Sequence, residues 1–259
     1  MAFYHFLAIF PSLLVFLTIT ARLPRFGNSM QSLLRDLALQ VFPDQVSPIF
    51  QNALNELGRH IPSGMRLALI YAGAAWASLN ATWAMIYGLN RAYEVEERRS
   101  WWELGITIVG LTLALGAIFW VAVFLIAVGI HAGLPTAAVE WAVLLGSLAV
   151  WFGLLYRFAP DLPEHQWRWS IPGSVCALVL WIGAAFAARF YFDRIDHYSR
   201  TFGHLNGVAM LLLWLYVSNG AILIGGEMNS EIRKAFAKRA DAPDAHMPTT
   251  VAPGNLKFK

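Results

Sequence analysis

Residues 201–229, TFGHLNGVAMLLLWLYVSNGAILIGGEMN, decide the fold of this chain. Between Leu205 and Gly226 the stretch contains no Asp, Glu, Lys or Arg. At a rise of about 1.5 Å per residue, a helix of this length crosses a hydrocarbon layer of roughly 30 Å. Charge returns at Glu227, so the apolar run has a defined exit into water. The stretch predicts a transmembrane helix against which the other apolar segments pack.

The composition of the whole chain also indicates a membrane protein. Hydrophobic residues make up 58% of the 259 positions and charged residues 14%, whereas a soluble domain is usually about 45–50% apolar. The one cysteine, Cys176, excludes a disulfide framework and a cysteine metal site. The seven histidines show no metal-ligand spacing. The sequence therefore predicts no metal, no cofactor and no catalytic residue, and we do not expect an enzyme.

Five further apolar segments have the length of membrane helices. The six predicted spans are Phe3–Thr20, Leu67–Leu89, Gly105–Gly129, Ala137–Phe158, Ile171–Phe192 and Leu205–Gly226. No basic residue precedes the first span, which favours an uncleaved helix over a signal peptide and suggests a chain that begins late. Small residues recur at every fourth position of the second span, so it is predicted to be an interior helix. Pro172 is expected in the first turn of the fifth helix, and the short turn at Gly133 makes spans three and four antiparallel neighbours.

Residues 22–65 are the longest polar connection, with apolar residues at helical spacing on both sides of Pro43. They predict an amphipathic helical hairpin, either a lid over the bundle or a plain surface hairpin. Lys and Arg are concentrated in the short loops after spans two and four and in the C-terminal segment, which places both termini in the cytoplasm and the hairpin outside. The predicted protein is all-α and polytopic, with a six-helix membrane domain over 1–236 and a disordered cytoplasmic tail over 237–259.

Polar side chains in or at the edges of the spans are the candidate pathway residues, because such groups are costly at membrane depth. They are Asn80, Arg91, Glu140, Arg189, Asp193, Asn219, Glu227 and Asn229. A purely structural role competes for several of them. Asn80 would then make an interhelical hydrogen bond, and Arg189 would pair with Asp193. Glu227 and Asn229 would only end the last helix.

Arg91 and Glu227 are predicted to reach the same cytoplasmic interface, at the ends of spans two and six. Their charges are opposite, so one hypothesis is an ion pair that locks the two helices together. The competing hypothesis is that Glu227 is a proton-titrating site and Arg91 binds lipid headgroups.

Three stretches resemble the YihY/BrkB family of bacterial inner-membrane proteins. They are AFYHFLAIFPSLL at 2–14, LNRAYEVEERRSWW at 89–102, and the region from Trp181 to 229 with LLLWLY at 211–216 and GGEMN at 225–229. Phe202 and Gly226 depart from the family's usual Tyr and Ala. The resemblance implies an inner-membrane helical fold. Because members have been labelled ribonuclease BN, virulence factor or transporter, it leaves the activity open.

The sequence is therefore compatible with two classes of function. The first is transport or handling of a lipid or other amphiphile, and the second is a non-transporting envelope-integrity, virulence or serum-resistance protein that acts through partners. A ribonuclease would need a general base, a metal cluster or a basic groove, and the sequence offers none of these. Membrane lipids are the expected partners, self-association is left open, and no nucleic-acid partner is expected.

Overall fold

The structure is a computed structural model that describes residues 1–21, 64–131, 136–162, 167–194 and 204–240. These residues form helices and short connections, with no strand among them. The helices are α1 (Ala2–Ala21), α2 (Met65–Ala92), α3 (Trp101–His131), α4 (Thr136–Phe158), α5 (Trp167–Arg194) and α6 (His204–Ala240). Each contains most of one predicted span. The predicted hairpin lies outside the described residues, apart from its last positions at the start of α2.

Four helices are long and apolar enough to cross a membrane, counting only the part of the chain that the structure describes. The segments are Trp101–Ile126, Ala138–Phe158, Ser170–Ala188 and Val208–Phe236. For α1 and α2, with 20 and 28 residues, membrane crossing stays a prediction. Several polar residues make α2 less apolar than the four segments above. Two of them form hydrogen bonds to neighbouring helices. Ser78 Oγ lies 3.2 Å from Ser12 Oγ of α1, and Thr82 Oγ1 shares a hydrogen bond with Thr112 Oγ1 of α3.

The six helices form a closed ring in which each helix packs against the next along the chain and α1 packs against α6. α2 also packs across the ring against α6. The antiparallel pairing of α3 and α4 confirms the prediction from their short connection. α2 contacts α1, α3 and α6 and buries the small residues Ala74, Ala77 and Ala81. The interior position predicted for α2 holds for this side only, because Leu69, Trp76 and Tyr87 on its other side are exposed.

The main core lies at one end of this ring, which we call the closed end. There α2 and α4 end, α3 and α5 begin, and residues 222–234 of α6 lie beside them. The buried core residues are Met85, Ile86, Leu89, Tyr93, Leu111, Leu115, Phe152, Leu155, Tyr156, Ala159, Leu162, Ala177 and Ile222. Toward the opposite end, the described side chains of α4 before Phe152 and of α5 after Ala177 include no buried residue.

Two helix boundaries differ from the predictions. α5 begins at Trp167, so Pro172 lies inside the helix instead of in its first turn. The side chain of Asn229 in α6 forms hydrogen bonds to α5 on either side of this internal proline. α6 continues to Ala240, past the predicted boundary at 236, because the charged residues after Glu227 are themselves good helix formers. Residues 241–259 of the predicted tail lie outside the described residues.

Candidate functional site at the closed end

The side chain of Asn229 joins α6 to the first part of α5. Its Oδ1 accepts a hydrogen bond from the backbone N–H of Gly173 at 2.6 Å, and its Nδ2 donates to the carbonyl oxygen of Ser170 at 3.4 Å. Asn229 is fully buried. Pro172, between these two backbone groups, has no N–H to donate to the preceding turn of the helix. A side-chain amide therefore binds backbone groups of α5 on either side of an internal proline.

Glycines allow α5 and α6 to come this close. A Cβ atom added at Gly173 would collide with the carbonyl oxygen of Gly225 and with the Asn229 amide, and a Cβ at Gly225 would collide with the hydroxyl of Tyr156. It would also lie 2.6 Å from the carbonyl oxygen of Gly173. Gly173 and Gly225 are thus the residues that permit the contact.

Two tyrosines enclose this junction. The buried Tyr156 of α4 donates its hydroxyl to the carbonyl oxygen of Ile222 at 2.7 Å, which links α4 to α6. Tyr93 follows the end of α2, and its carbonyl oxygen accepts from Ser230 Oγ at 3.4 Å. Burial raises the pKa of Tyr93 to about 12, against the opposing effects of a hydrogen bond with Asn229 and the charge of Arg233. Tyr93 therefore stays neutral at physiological pH.

The end of α2 is closed by a Schellman motif. The N–H of Val95 donates to the carbonyl oxygen of Asn90 at 2.9 Å, and the N–H of Glu94 donates to that of Arg91 at 3.1 Å. Glu94 occupies the left-handed position with a φ of 53°, where glycine is usual. Its carboxylate lies 2.9 Å from Lys234 Nζ of α6. Glu94, in this unfavourable backbone conformation, thus forms an exposed ion pair that joins α2 to α6.

A polar network ties the α2–α3 connection to the end of α4. Arg99 Nε donates to Glu97 Oε1 at 2.6 Å, and the Arg99 guanidinium also donates to the carbonyl oxygen of Ala159 at 2.9 Å. Asn90 Nδ2 donates to Glu97 Oε2 at 2.8 Å, and Asn90 Oδ1 accepts from the N–H of Asp161 at 2.9 Å. Burial of Glu97 raises the pKa of its carboxyl, but hydrogen bonds from Arg99 and Asn90 outweigh it, so this pKa lies below its ordinary value.

Comparison with known proteins bears on this arrangement. The sequence model of the family described as Virulence factor BrkB matches residues 1–248. This chain belongs to the BrkB family. YfkH of Bacillus subtilis, whose name describes it as ribonuclease-like, is 30% identical over 90% of this chain and 88% of its own length. No solved structure matches the chain.

Other relatives in the comparison are named UPF0761 membrane proteins. One from Aromatoleum aromaticum is 24% identical over 92% of this chain and 60% of its own length. Another, from Xanthomonas axonopodis pv. citri, is 25% identical over 91% of this chain and 56% of its own length. The chain therefore spans little more than half the length of these relatives. The apolar helices and these names together show a bacterial membrane protein.

Among the candidate pathway residues of this BrkB-family chain, Asn229 is the one at the centre of the closed end. Asn219 is also buried, and its Nδ2 donates to the carbonyl oxygen of Leu215 in its own helix at 2.6 Å. Asn80 donates to Trp76 of its own helix at 2.7 Å instead of to another helix as predicted. An asparagine side chain within a helix can reach the carbonyl one turn earlier, and this contact takes the place of the interhelical one.

The predicted lock between Arg91 and Glu227 is wrong. Both side chains are exposed, and no ion pair joins them among the described residues. The two helix ends do meet, but through Glu94 and Lys234. Each helix residue is rotated by about 100° from the preceding one, so residues at the same depth need not face each other.

The other predicted residues lie away from the closed-end contacts described above. Glu140 is half-buried near the start of α4. Arg189 and Asp193 are one turn apart in α5, and their predicted pairing concerns side chains outside the described part of the structure. The described residues contain no group of three or more His, Cys, Asp or Glu side chains that could hold a metal ion.

Sequence reasoning missed Tyr93, Tyr156, Gly173, Glu97 and Arg99. Tyr93, Glu97 and Arg99 fall in the LNRAYEVEERRSWW motif, where the prediction stopped at a compact mixed-charge loop. The Pro-Gly pair at 172–173 within an apolar run was the available signal for the α5 contact, because a proline inside a membrane helix calls for a polar partner from elsewhere.

Proposed function

We propose that this chain is an integral protein of the bacterial inner membrane that transports or otherwise handles a lipid-like amphiphile. In this proposal all six helices span the membrane, both termini are cytoplasmic, and residues 22–65 are an extracytoplasmic hairpin. The basic residues of the closed end support the orientation, because Lys and Arg concentrate on the cytoplasmic side. They include Arg91, Arg98, Arg99, Arg157, Arg233 and Lys234.

The observation that carries the proposal is the uneven packing of α4 and α5. At the closed end α4, α5 and α6 are joined by buried residues and by close glycine contacts, whereas α4 and α5 bury no described side chain toward the opposite end. An added Cβ at Gly146 of α4 or Gly183 of α5 would meet no atom within 4 Å. α5 contacts α6 in that part through Trp181, whose Nε1 donates to Ser218 Oγ at 3.2 Å, so the difference concerns the buried side chains of α4 and α5. Helices packed more firmly at one end than at the other suit a protein that admits a substrate from one side and seals the other.

Reconstitution into liposomes tests the transport function. Headgroup-labelled phospholipid is expected to cross bilayers that contain the protein faster than protein-free bilayers, measured by chemical quenching of the outer-leaflet label. The matched control is a membrane protein of similar size without transport activity, at the same protein-to-lipid ratio. If folded protein gives no excess flux of this lipid or of other amphiphiles, the proposal fails, and an envelope protein that acts through partners becomes the better explanation.

Reporter fusions test the topology separately. A phosphatase that is active only outside the cytoplasm is expected to be silent when fused at Arg99 or after Lys238 and active when inserted near Asn52. The reverse pattern would invert the proposed orientation.

We also propose that the chain does not cleave RNA, whatever the name of its Bacillus relative. The support is chemical, because the residues at the closed end provide no paired general acid and base. Purified protein is expected to leave a tRNA precursor intact. Cleavage that co-purifies with the protein and disappears on substitution of Asn229 or Glu97 would overturn this.

A further inference from the structure

Asn219 presents a buried acceptor that has no hydrogen-bond partner. The residue is only 6% exposed, its Nδ2 donates to Leu215 O, and its Oδ1 is buried without a partner. The orientation of the amide follows from chemistry, because a carbonyl oxygen can only accept and therefore faces the nitrogen. An unpaired buried acceptor costs free energy that a suitable donor would recover.

The register of α2 and α6 places this acceptor beside other polar groups. The two helices run parallel, since Gly226 lies against Leu89 and Lys234 pairs with Glu94 further along both chains. Seven residues make about two helical turns, so two residues seven positions apart lie on the same side of a helix and about 10 Å apart along its axis. Seven residues before Leu89 and Gly226 are Thr82 and Asn219. The register therefore predicts that they lie at a similar depth in α2 and α6.

Thr82 extends the polar group at this depth to α3. It is buried, and its Oγ1 shares a hydrogen bond with Thr112 Oγ1 at 2.7 Å. The surrounding helix segments are uncharged, because α2 from Leu67 to Leu89 and α6 from Leu205 to Gly226 contain no Asp, Glu, Lys or Arg. The group is thus an uncharged polar patch inside apolar helices, next to the closed-end core residues Met85, Leu111 and Ile222.

We propose that Asn219 Oδ1 is a binding site for an N–H or O–H donor on the headgroup of an amphiphile, with Thr82 and Thr112 beside it. This inference rests on the proposed function and names the substrate chemistry, namely a headgroup that offers a hydrogen-bond donor. An acceptor oxygen in uncharged surroundings disfavours an anionic group, which has only acceptors to present. Uncharged surroundings also disfavour an ammonium, so the site distinguishes an alcohol from its methyl ether, which has no O–H to donate.

Dodecanol and dodecyl methyl ether are the probes, because both are uncharged, they share the tail, and only the alcohol has an O–H donor. Binding to the protein in lipid nanodiscs is measured by calorimetry, with empty nanodiscs subtracted. Wild-type protein is expected to bind the alcohol about tenfold more tightly than the ether. Asn219→Leu is expected to abolish this preference. Asn80→Leu is the matched control and should keep it, because Asn80 bonds to its own helix in the same way but is only half-buried.

Each result decides the proposal. A wild-type protein without preference overturns it whether or not the variants fold, and so does a folded Asn219→Leu protein that keeps the full preference. Binding is measured separately from flux. If the liposome assay fails but the wild-type protein still prefers one probe, the transport function is wrong and the binding site stands. Flux without the preference would remove the site and leave the function.

Discussion

Asn229 of α6 accepts a hydrogen bond from the N–H of Gly173 in α5 at 2.6 Å, one residue after Pro172. Gly173 and Asn229 are 56 positions apart in sequence. The contact connects the GGEMN motif, at the end of one apolar stretch, with the region of Pro172 at the start of another. It explains how α5 tolerates an internal proline inside a packed bundle. The side chain of a neighbouring helix provides hydrogen-bond partners beside the residue that lacks a donor.

Replacing Asn229 by leucine is expected to destabilise the fold by about 2 kcal/mol or more, because it leaves the N–H of Gly173 and the carbonyl of Ser170 without these partners in a buried site. Asn80→Leu is the matched control and should cost less than about 1 kcal/mol, since Asn80 bonds only within its own helix and is half-buried. Thermal unfolding, monitored by size-exclusion chromatography, measures the loss of stability in both variants. Equal losses for the two variants would show that the Asn229 contact has no special role.

Adjacent glycines of α6 are expected to respond differently to alanine. At Gly225 a Cβ would lie 2.6 Å from the backbone carbonyl of Gly173, which cannot move without separating α5 from α6, so Gly225→Ala should lower the unfolding temperature strongly. At Gly226 the nearest atom is the flexible end of Leu89 at 2.8 Å, so Gly226→Ala should be tolerated. Gly183→Ala, which meets nothing within 4 Å, is the neutral control.

Tolerance of Gly226→Ala would also agree with the resemblance, which implies alanine at that position. A loss at Gly226 as large as at Gly225 would contradict the close approach of α5 and α6 as the cause.

The strain at Glu94 can be separated from its ion pair. Glu94→Gly and Glu94→Ala both remove the contact with Lys234, but only glycine adopts a φ of 53° without steric cost. The glycine variant is therefore expected to be about 1 kcal/mol more stable than the alanine variant. Equilibrium unfolding in detergent measures the difference. If the alanine variant matched or exceeded the glycine variant, the left-handed conformation at the end of α2 would be in error.

The sequence predicted the helices well because apolar length and charge-free runs are properties of contiguous residues. The run from Leu205 to Gly226 lies entirely within α6, and the small-residue spacing of α2 identified the side of that helix that packs against its neighbours. These signals need no knowledge of how one helix is rotated against another.

The contacts of the closed end could not be predicted in the same way. Arg91 and Glu94 are three residues apart and reach the same end of the bundle, yet only Glu94 meets α6, because its left-handed backbone redirects the chain at the end of α2. Asn229 was recognised as polar at a span edge, but its partners are backbone groups of α5. Backbone partners leave no complementary side chain in the sequence to find.

The last prediction concerns acid stability. The pKa of Glu97 is lowered in the folded protein, so its contribution to stability is present above the unfolded-state pKa of about 4.5 and is lost as the pH falls through the lower folded-state pKa. Between pH 7 and 5 the contribution should be constant, and below about pH 4.5 it should decline. Glu97→Gln is expected to lose about 1 kcal/mol at pH 7, because the Arg99 guanidinium loses its charged acceptor and solvent screens this partly exposed pair.

The loss in Glu97→Gln should shrink in acid, since wild-type protein then also loses the carboxylate. Glu96→Gln, at an exposed neighbouring position, is the matched control and should follow wild type at every pH. Unfolding temperatures from pH 3.5 to 7 compare the three proteins. A constant gap between wild type and Glu97→Gln across this range would mean that the gap does not arise from ionisation of Glu97. The connection between α2 and α3 would then be held by Arg99 through the carbonyl oxygens at the end of α4, independently of the carboxylate.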